Sequence, residues 1–102
     1  MASSKEFLYF VLEHLSNLSD ITYRAMMGEY IIYYGGKVIG GIYDNHFLVK
    51  PTPSALKIMS NPQMEIPYAN GSPMIMITDI ENTELLTQLF NAMYPELSER
   101  KR

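Results

Sequence analysis

The chain has 102 residues, 47% of them apolar and 19% charged, which fits one globular domain and excludes a disordered segment. It holds no cysteine, which excludes disulfides, thiolate nucleophiles and zinc–thiolate sites together and suits a reducing cytoplasm. Net charge is −3, and between Ile58 and Glu99 stand six acids (Glu65, Asp79, Glu81, Glu84, Glu96, Glu99) with no lysine or arginine. That leaves Arg24, Lys37, Lys50 and Lys57 as the only internal cations for a phosphate-binding patch.

The first residues do not read as a signal peptide, because Glu6 follows Lys5 directly and Glu13 interrupts the apolar run. No stretch approaches the ~20 apolar residues that a membrane-spanning helix needs. Ser3 and Glu6 have capping-box spacing, and Phe7, Leu8, Val11, Leu12, Leu15 and Leu18 recur at helical spacing. The first helix therefore starts near Ser3 and closes in the polar run from Ser16 to Asp20. Ile21 to Ala25 reads equally as a short strand or an extended connector.

Residues 26–50 read as a meander. Gly35-Gly36 suits a two-residue hairpin turn, and Asp44-Asn45 can form another. With both turns two residues long, Tyr33 faces Val38, Ile32 faces Ile39, Tyr30 faces Gly41, Ile42 faces Phe47 and Tyr43 faces His46. One face then carries Glu29, Ile31, Tyr33, Val38, Gly40, Ile42, Phe47 and Val49, and its apolar character assigns it to the helices. The other carries Tyr30, Ile32, Tyr34, Lys37, Ile39, Gly41, Tyr43, His46, Leu48 and Lys50, as a half-exposed face would. Gly40 and Gly41 inside a strand mark a bulge or a close backbone approach.

Thr52 and Pro53 suit the N-cap and first position of a short second helix that ends before Pro62. A second hairpin, roughly Met64–Tyr68 and Pro73–Thr78, turns at Asn70-Gly71, and Pro67 marks its first strand as an edge. A last helix runs from Asn82 to about Met93, with Leu85, Leu86, Leu89, Phe90 and Met93 as its stripe and Pro95 as its stop. The order, roughly α-β(3–4)-α-β(2)-α, implies an α+β two-layer sandwich: one antiparallel sheet with helices packed on one face, a single domain over residues 1–102. The closing Arg-Lys-Arg reads as a solvated tail.

Few residues suggest chemistry. Asp44, Asn45 and His46 would be the acid–base candidates of a small enzyme, but no nucleophile accompanies them. His14 borders the first helix's apolar stripe and reads as a packed histidine. Met74 and Met76 could offer soft sulfur to copper, yet alternate strand residues share a face for packing alone. Tyr-Tyr-Gly-Gly-Lys-Val lacks the first glycine and the Ser/Thr of a phosphate loop. Asp79, Glu81 and Glu84 suit the N-terminus of the last helix. No cofactor and no metal are expected. The tyrosine-bearing face, with Tyr30, Ile32, Tyr34, Ile39, Tyr43 and Leu48 at its centre and Arg24, Lys37, His46 and Lys50 at its rim, reads as an interaction surface for a protein partner or a second copy.

The segment ITYRAMMGEYIIYYGGKVIGGIYDNHFLVKPT resembles the N-terminal domain of the TfoX (Sxy) family of bacterial competence regulators. Arg24, Met27-Gly28, Tyr30, Ile32, Gly36-Lys37, Asp44, Phe47, Leu48 and Lys50 stand at the family's pattern positions, and PYANGSPMIMITDI resembles its second hairpin. Glu29 departs from a second glycine, and Ile77-Thr78 from tyrosines. The resemblance implies a two-layer α/β sandwich, no enzymatic activity, and a role in transcriptional regulation of competence genes through protein contacts. With the missing cysteines and the tyrosine-bearing face, the expectation is a cytoplasmic interaction domain that forms a homodimer through that face. Full-length members carry a second domain thought to engage nucleic acid. This chain spans one domain, so direct DNA binding through Arg24, Lys37, Lys50 and Lys57 is the alternative reading.

Overall fold

The computed structural model of the protein describes residues 3–98, and the basic tail expected at 100–102 lies outside them. The elements are α1 (Lys5–His14), β1 (Ile21–Met26), β2 (Glu29–Tyr34), β3 (Lys37–Tyr43), β4 (His46–Val49), α2 (Pro53–Ile58), β5 (Gln63–Glu65), β6 (Met74–Ile77) and α3 (Thr83–Met93), followed by a 3₁₀ turn at Tyr94–Glu96. Six strands form one antiparallel sheet in the order β1-β2-β3-β4-β6-β5. The expected α+β sandwich is the observed fold, and Ile21–Met26 is a strand.

Short-range chemistry sets most element ends. The side chains of Thr52 and Asn82 accept from the amides of Ala55 and Leu85 at 3.2 and 3.1 Å, capping α2 and α3. For α1 the cap is Ser4, which accepts from the Phe7 amide at 3.1 Å. Ser3, expected in that role, is drawn away by residues distant in sequence. Three two-residue turns, Met27-Gly28, Gly35-Gly36 and Asp44-Asn45, have both residues at positive φ, the backbone twist that joins antiparallel strands tightly. The second hairpin is shorter than expected: residues 66–73 form its loop, and Pro67 falls in that loop beside the edge strand β5.

The pairing of β2 with β3 corrects the expected register. Tyr33 faces Val38 and Tyr34 faces Lys37, but Ile32 faces Gly40, Ile31 faces Gly41 and Tyr30 faces Ile42. Ile39 is one residue too many on β3, a bulge. Between β3 and β4 the expected pairs hold, with Ile42 opposite Phe47 and Tyr43 opposite His46.

A one-residue slip turns a strand over. Tyr30, Ile32 and Ile39, assigned from sequence to the exposed face, are buried in the core with Leu8, Val11, Ile42, Phe47, Val49, Leu86 and Phe90, and Tyr34 packs against it. Ile31 and Val38, assigned to the helices, line the opposite face. Past the bulge the assignment holds: Ile42, Phe47 and Val49 meet the helices. Glycine at position 40 has a steric cause. A Cβ there would overlap the Leu48 carbonyl oxygen and stand 2.8 Å from the Val49 Cα.

Long-range ties close the helical layer. The Tyr34 hydroxyl donates to Asn91 Oδ1 at 2.7 Å, its ring meets Tyr94 edge-on at 5.4 Å, and Lys37 Nζ lies 4.3 Å from the Tyr94 ring centre. Glu96 accepts from the Ser54 amide and hydroxyl at 3.0 and 2.6 Å, tying α2 to the end of α3. The bonds from Ser54, side chain first, hold the Glu96 carboxyl below its ordinary pKa of 4.5.

A depressed carboxylate stabilises the fold fully above its unfolded pKa and loses that contribution as pH falls through its folded pKa. Acid titration of wild type and Ser54→Ala, followed by tyrosine fluorescence, should therefore show a stability difference at neutral pH that closes below the ordinary carboxylate value. A difference that widens on acidification would contradict this.

Candidate interaction site

The sheet face away from the helices carries the candidate site. Its floor comes from alternate residues: Met26 of β1, Ile31 of β2, Val38 and Tyr43 of β3 and Met74 of β6 line one cleft of about 360 Å³. The loop between β5 and β6 forms the wall. Pro67, Ser72 and Pro73 line it, and the Tyr68 ring lies 6.0 Å from the Tyr43 ring. A second hollow of about 350 Å³ adjoins it, lined by Met26, Met27, Glu29, Tyr43, Pro67 and Tyr68. Lys50 is the charged residue of the first hollow and Glu29 that of the second.

Apolar groups stand open around this site. Met26 is 46% exposed, Tyr68 60%, Ile66 59% and Met27 97%. Met27 is also the only residue at positive φ among the described residues that is not Gly, Asn or Asp. That conformation costs a methionine about 1–2 kcal/mol. Burial, followed by the nearby Tyr68, Glu29 and Tyr33, pushes the Tyr43 phenol above its ordinary value of 10.0, so Tyr43 stays a neutral donor at the floor of the cleft.

Glu29 closes one end of the site. Its carboxylate accepts from the Ser3 hydroxyl at 2.5 Å, the Ser3 amide at 3.1 Å and the Asp44 amide at 3.2 Å. The Ser3 hydroxyl in turn accepts from the Asn45 amide at 2.9 Å, and Asn45 Oδ1 accepts from the Ser4 amide at 2.9 Å. The N-terminal segment is thus fastened to the β3–β4 turn. The sequence marked Glu29 only as a departure from glycine. Its partners lie 26 and 15 residues away, beyond any local signal.

The expected site residues separate. Tyr43 and Leu48 lie on the outer face, Tyr43 half-buried and Leu48 buried. Tyr30, Ile32, Tyr34 and Ile39 lie on the helix side and cannot form an outward surface there. Of the expected rim, Lys37 also sits on the helix side over Tyr94, Arg24 and His46 are exposed, and Lys50 lines the cleft. Lys37 therefore does not share a face with Lys50, and Lys57 lies on α2. The backbone amides of Asp44 and Asn45 and the Asn45 side chain are engaged in the turn's own ties.

His14 Nδ1 lies 2.9 Å from the Phe10 carbonyl, with its ring edge-on to Phe10, as a packed histidine does. Asp79 accepts from Asn82 at the start of α3. Among the described residues no group of three or more His, Asp or Glu is placed to hold a metal ion, and no helix is long and apolar enough to cross a membrane.

Fold and site together define a small α+β domain with helices on one face of its sheet and an apolar cleft on the other. The chain is 29% identical over 80 residues to an uncharacterized 12.7 kDa protein in the trpE 5′ region of Spirochaeta aurantia, an alignment covering 78% of this chain and 70% of that protein. No protein-family model and no solved structure matches the chain.

Removing the Glu29 carboxylate takes the acceptor from the Ser3 hydroxyl and the Asp44 amide, while the Ser3 amide keeps the Gly28 carbonyl at 2.9 Å. Glu29→Ala should lower stability by about 2 kcal/mol, read as a shift in urea midpoint by tyrosine fluorescence. An unchanged midpoint would contradict the fastening role.

Proposed function

We propose that the chain is a non-enzymatic, cytoplasmic regulatory domain of the TfoX N-terminal kind, which acts on transcription of competence genes by binding a protein partner in the outer cleft. The observation that carries this is Met27, almost wholly exposed at a strained backbone position beside Met26 and Tyr68. Strain retained at an open apolar group points to a contact outside the fold. Methionines adapt their shape to an incoming surface, and a pair of hollows of this size takes a few side chains rather than a folded domain. The first hollow's cation is Lys50, while the Glu29 carboxylate is already engaged. The fitting partner is therefore an apolar segment with an acidic residue beside it. The family resemblance supplies the process, and the absence of cysteine suits the compartment.

A strain lacking this gene should show lower transcript levels of its DNA-uptake genes. Wild-type chain should restore them, and Tyr68→Asp, verified as folded by circular dichroism, should not. Transcripts unaffected by the deletion would overturn the regulatory reading, and full restoration by Tyr68→Asp would overturn the cleft as its site.

A further inference from the structure

The two edges of the sheet differ. β5 is three residues long, carries Glu65 and is followed by Pro67, devices that discourage pairing with another chain. β1 is six residues long, has no proline and pairs on one side only. The tight turn at Met27-Gly28 makes Met26 and Glu29 a hydrogen-bonded pair, so Thr22, Arg24 and Met26 direct their backbone groups toward β2. Ile21, Tyr23 and Ala25 alternate with them and direct their amides and carbonyls outward.

We propose that β1 pairs antiparallel with β1 of a second copy of this chain, about a two-fold axis perpendicular to the sheet at Tyr23. Such an axis keeps corresponding faces together. Tyr23 then stands opposite its own copy, Ile21 opposite Ala25 of the second copy, and Thr22 opposite Arg24 of the second copy. All three outward-facing residues of each strand pair, giving about six backbone hydrogen bonds. Moving the axis one residue to Arg24 sets two like charges directly opposite each other, which is destabilising. Moving it to Thr22 leaves Ala25 outside the ladder. The register centred on Tyr23 is thus the one in which charge and hydrogen bonding agree. Because β5 is the guarded edge, the contact closes as a dimer and does not extend into a filament. The perpendicular axis also opens both outer clefts on the same side of a continuous sheet, so one dimer presents two copies of the proposed partner site.

The chain has no native cysteine, so introduced thiols report pairing without background. Thr22→Cys and Arg24→Cys occupy a pair without mutual backbone bonds, about 4.5 Å apart between Cα atoms, within disulfide reach. Wild type should sediment at twice 11.7 kDa. Under mild oxidation a mixture of the two variants should give disulfide-linked dimer well above either variant alone, and Tyr68→Asp should leave the dimer unchanged. A wild-type monomer at millimolar concentration would overturn the proposal and leave the edge to a strand from another protein. A wild-type dimer whose mixed variants cross-link no better than each alone would place the contact on another surface and equally overturn it.

Discussion

The extra residue at Ile39 governs which side chains of the meander meet the helices. β3 must satisfy two neighbours at once. Its pairing with β4 runs without interruption from Gly40 to Tyr43, while its pairing with β2 shifts between Ile32 and Tyr33. One inserted residue reverses the alternation of everything before it. Ile39 and Ile42 can therefore both enter the core although three positions apart, and Tyr30 and Ile32 enter it with them. Gly40 makes the bulge possible, since any side chain there would meet the β4 backbone.

The outer face follows from the same constraint. With Tyr30 and Ile32 turned inward, β2 offers Ile31 outward, and β3 offers Val38 and Tyr43. The β5–β6 loop folds toward these residues through the contact between Tyr43 and Tyr68, which leaves a cleft with a sheet floor and a wall of Pro67, Tyr68, Ser72 and Pro73. Glu29 belongs to the same reversed strand. Its outward direction brings the carboxylate to Ser3 and Asp44, so the tie on the N-terminal segment depends on the bulge as much as the core does.

Features encoded over a few residues were legible in the sequence: the cap at Thr52, the start of α3 at Asn82, the turns at Gly35-Gly36 and Asp44-Asn45, the α3 stripe, and the layer architecture. The bulge was only half legible. Gly40 and Gly41 announced an irregularity, but its effect on facing depends on two different partner strands, and both faces of the meander are apolar enough to pass for core. The same limit hid the α1 cap. The local rule favours Ser3 through its spacing from Glu6, but Glu29, 26 residues from Ser3, engages its side chain and leaves Ser4 as the cap. β1 gave little signal because its side chains are mostly exposed and do not alternate. As a result the candidate surface was recognised as tyrosine-bearing, and Tyr43 belongs to it, while Tyr30, Ile32, Tyr34 and Ile39 were placed on the wrong side of the sheet.

The pairing of Ile31 tests this account most directly. Ile31 directs its backbone groups to β1, so its Hα approaches the Hα of the residue opposite it on β3. A nuclear Overhauser spectrum of the folded protein should show a strong Hα–Hα contact between Ile31 and Gly41. The same contact from Ile31 to Gly40 would mean an unbulged ladder, with Tyr30 outward and the cleft without its floor.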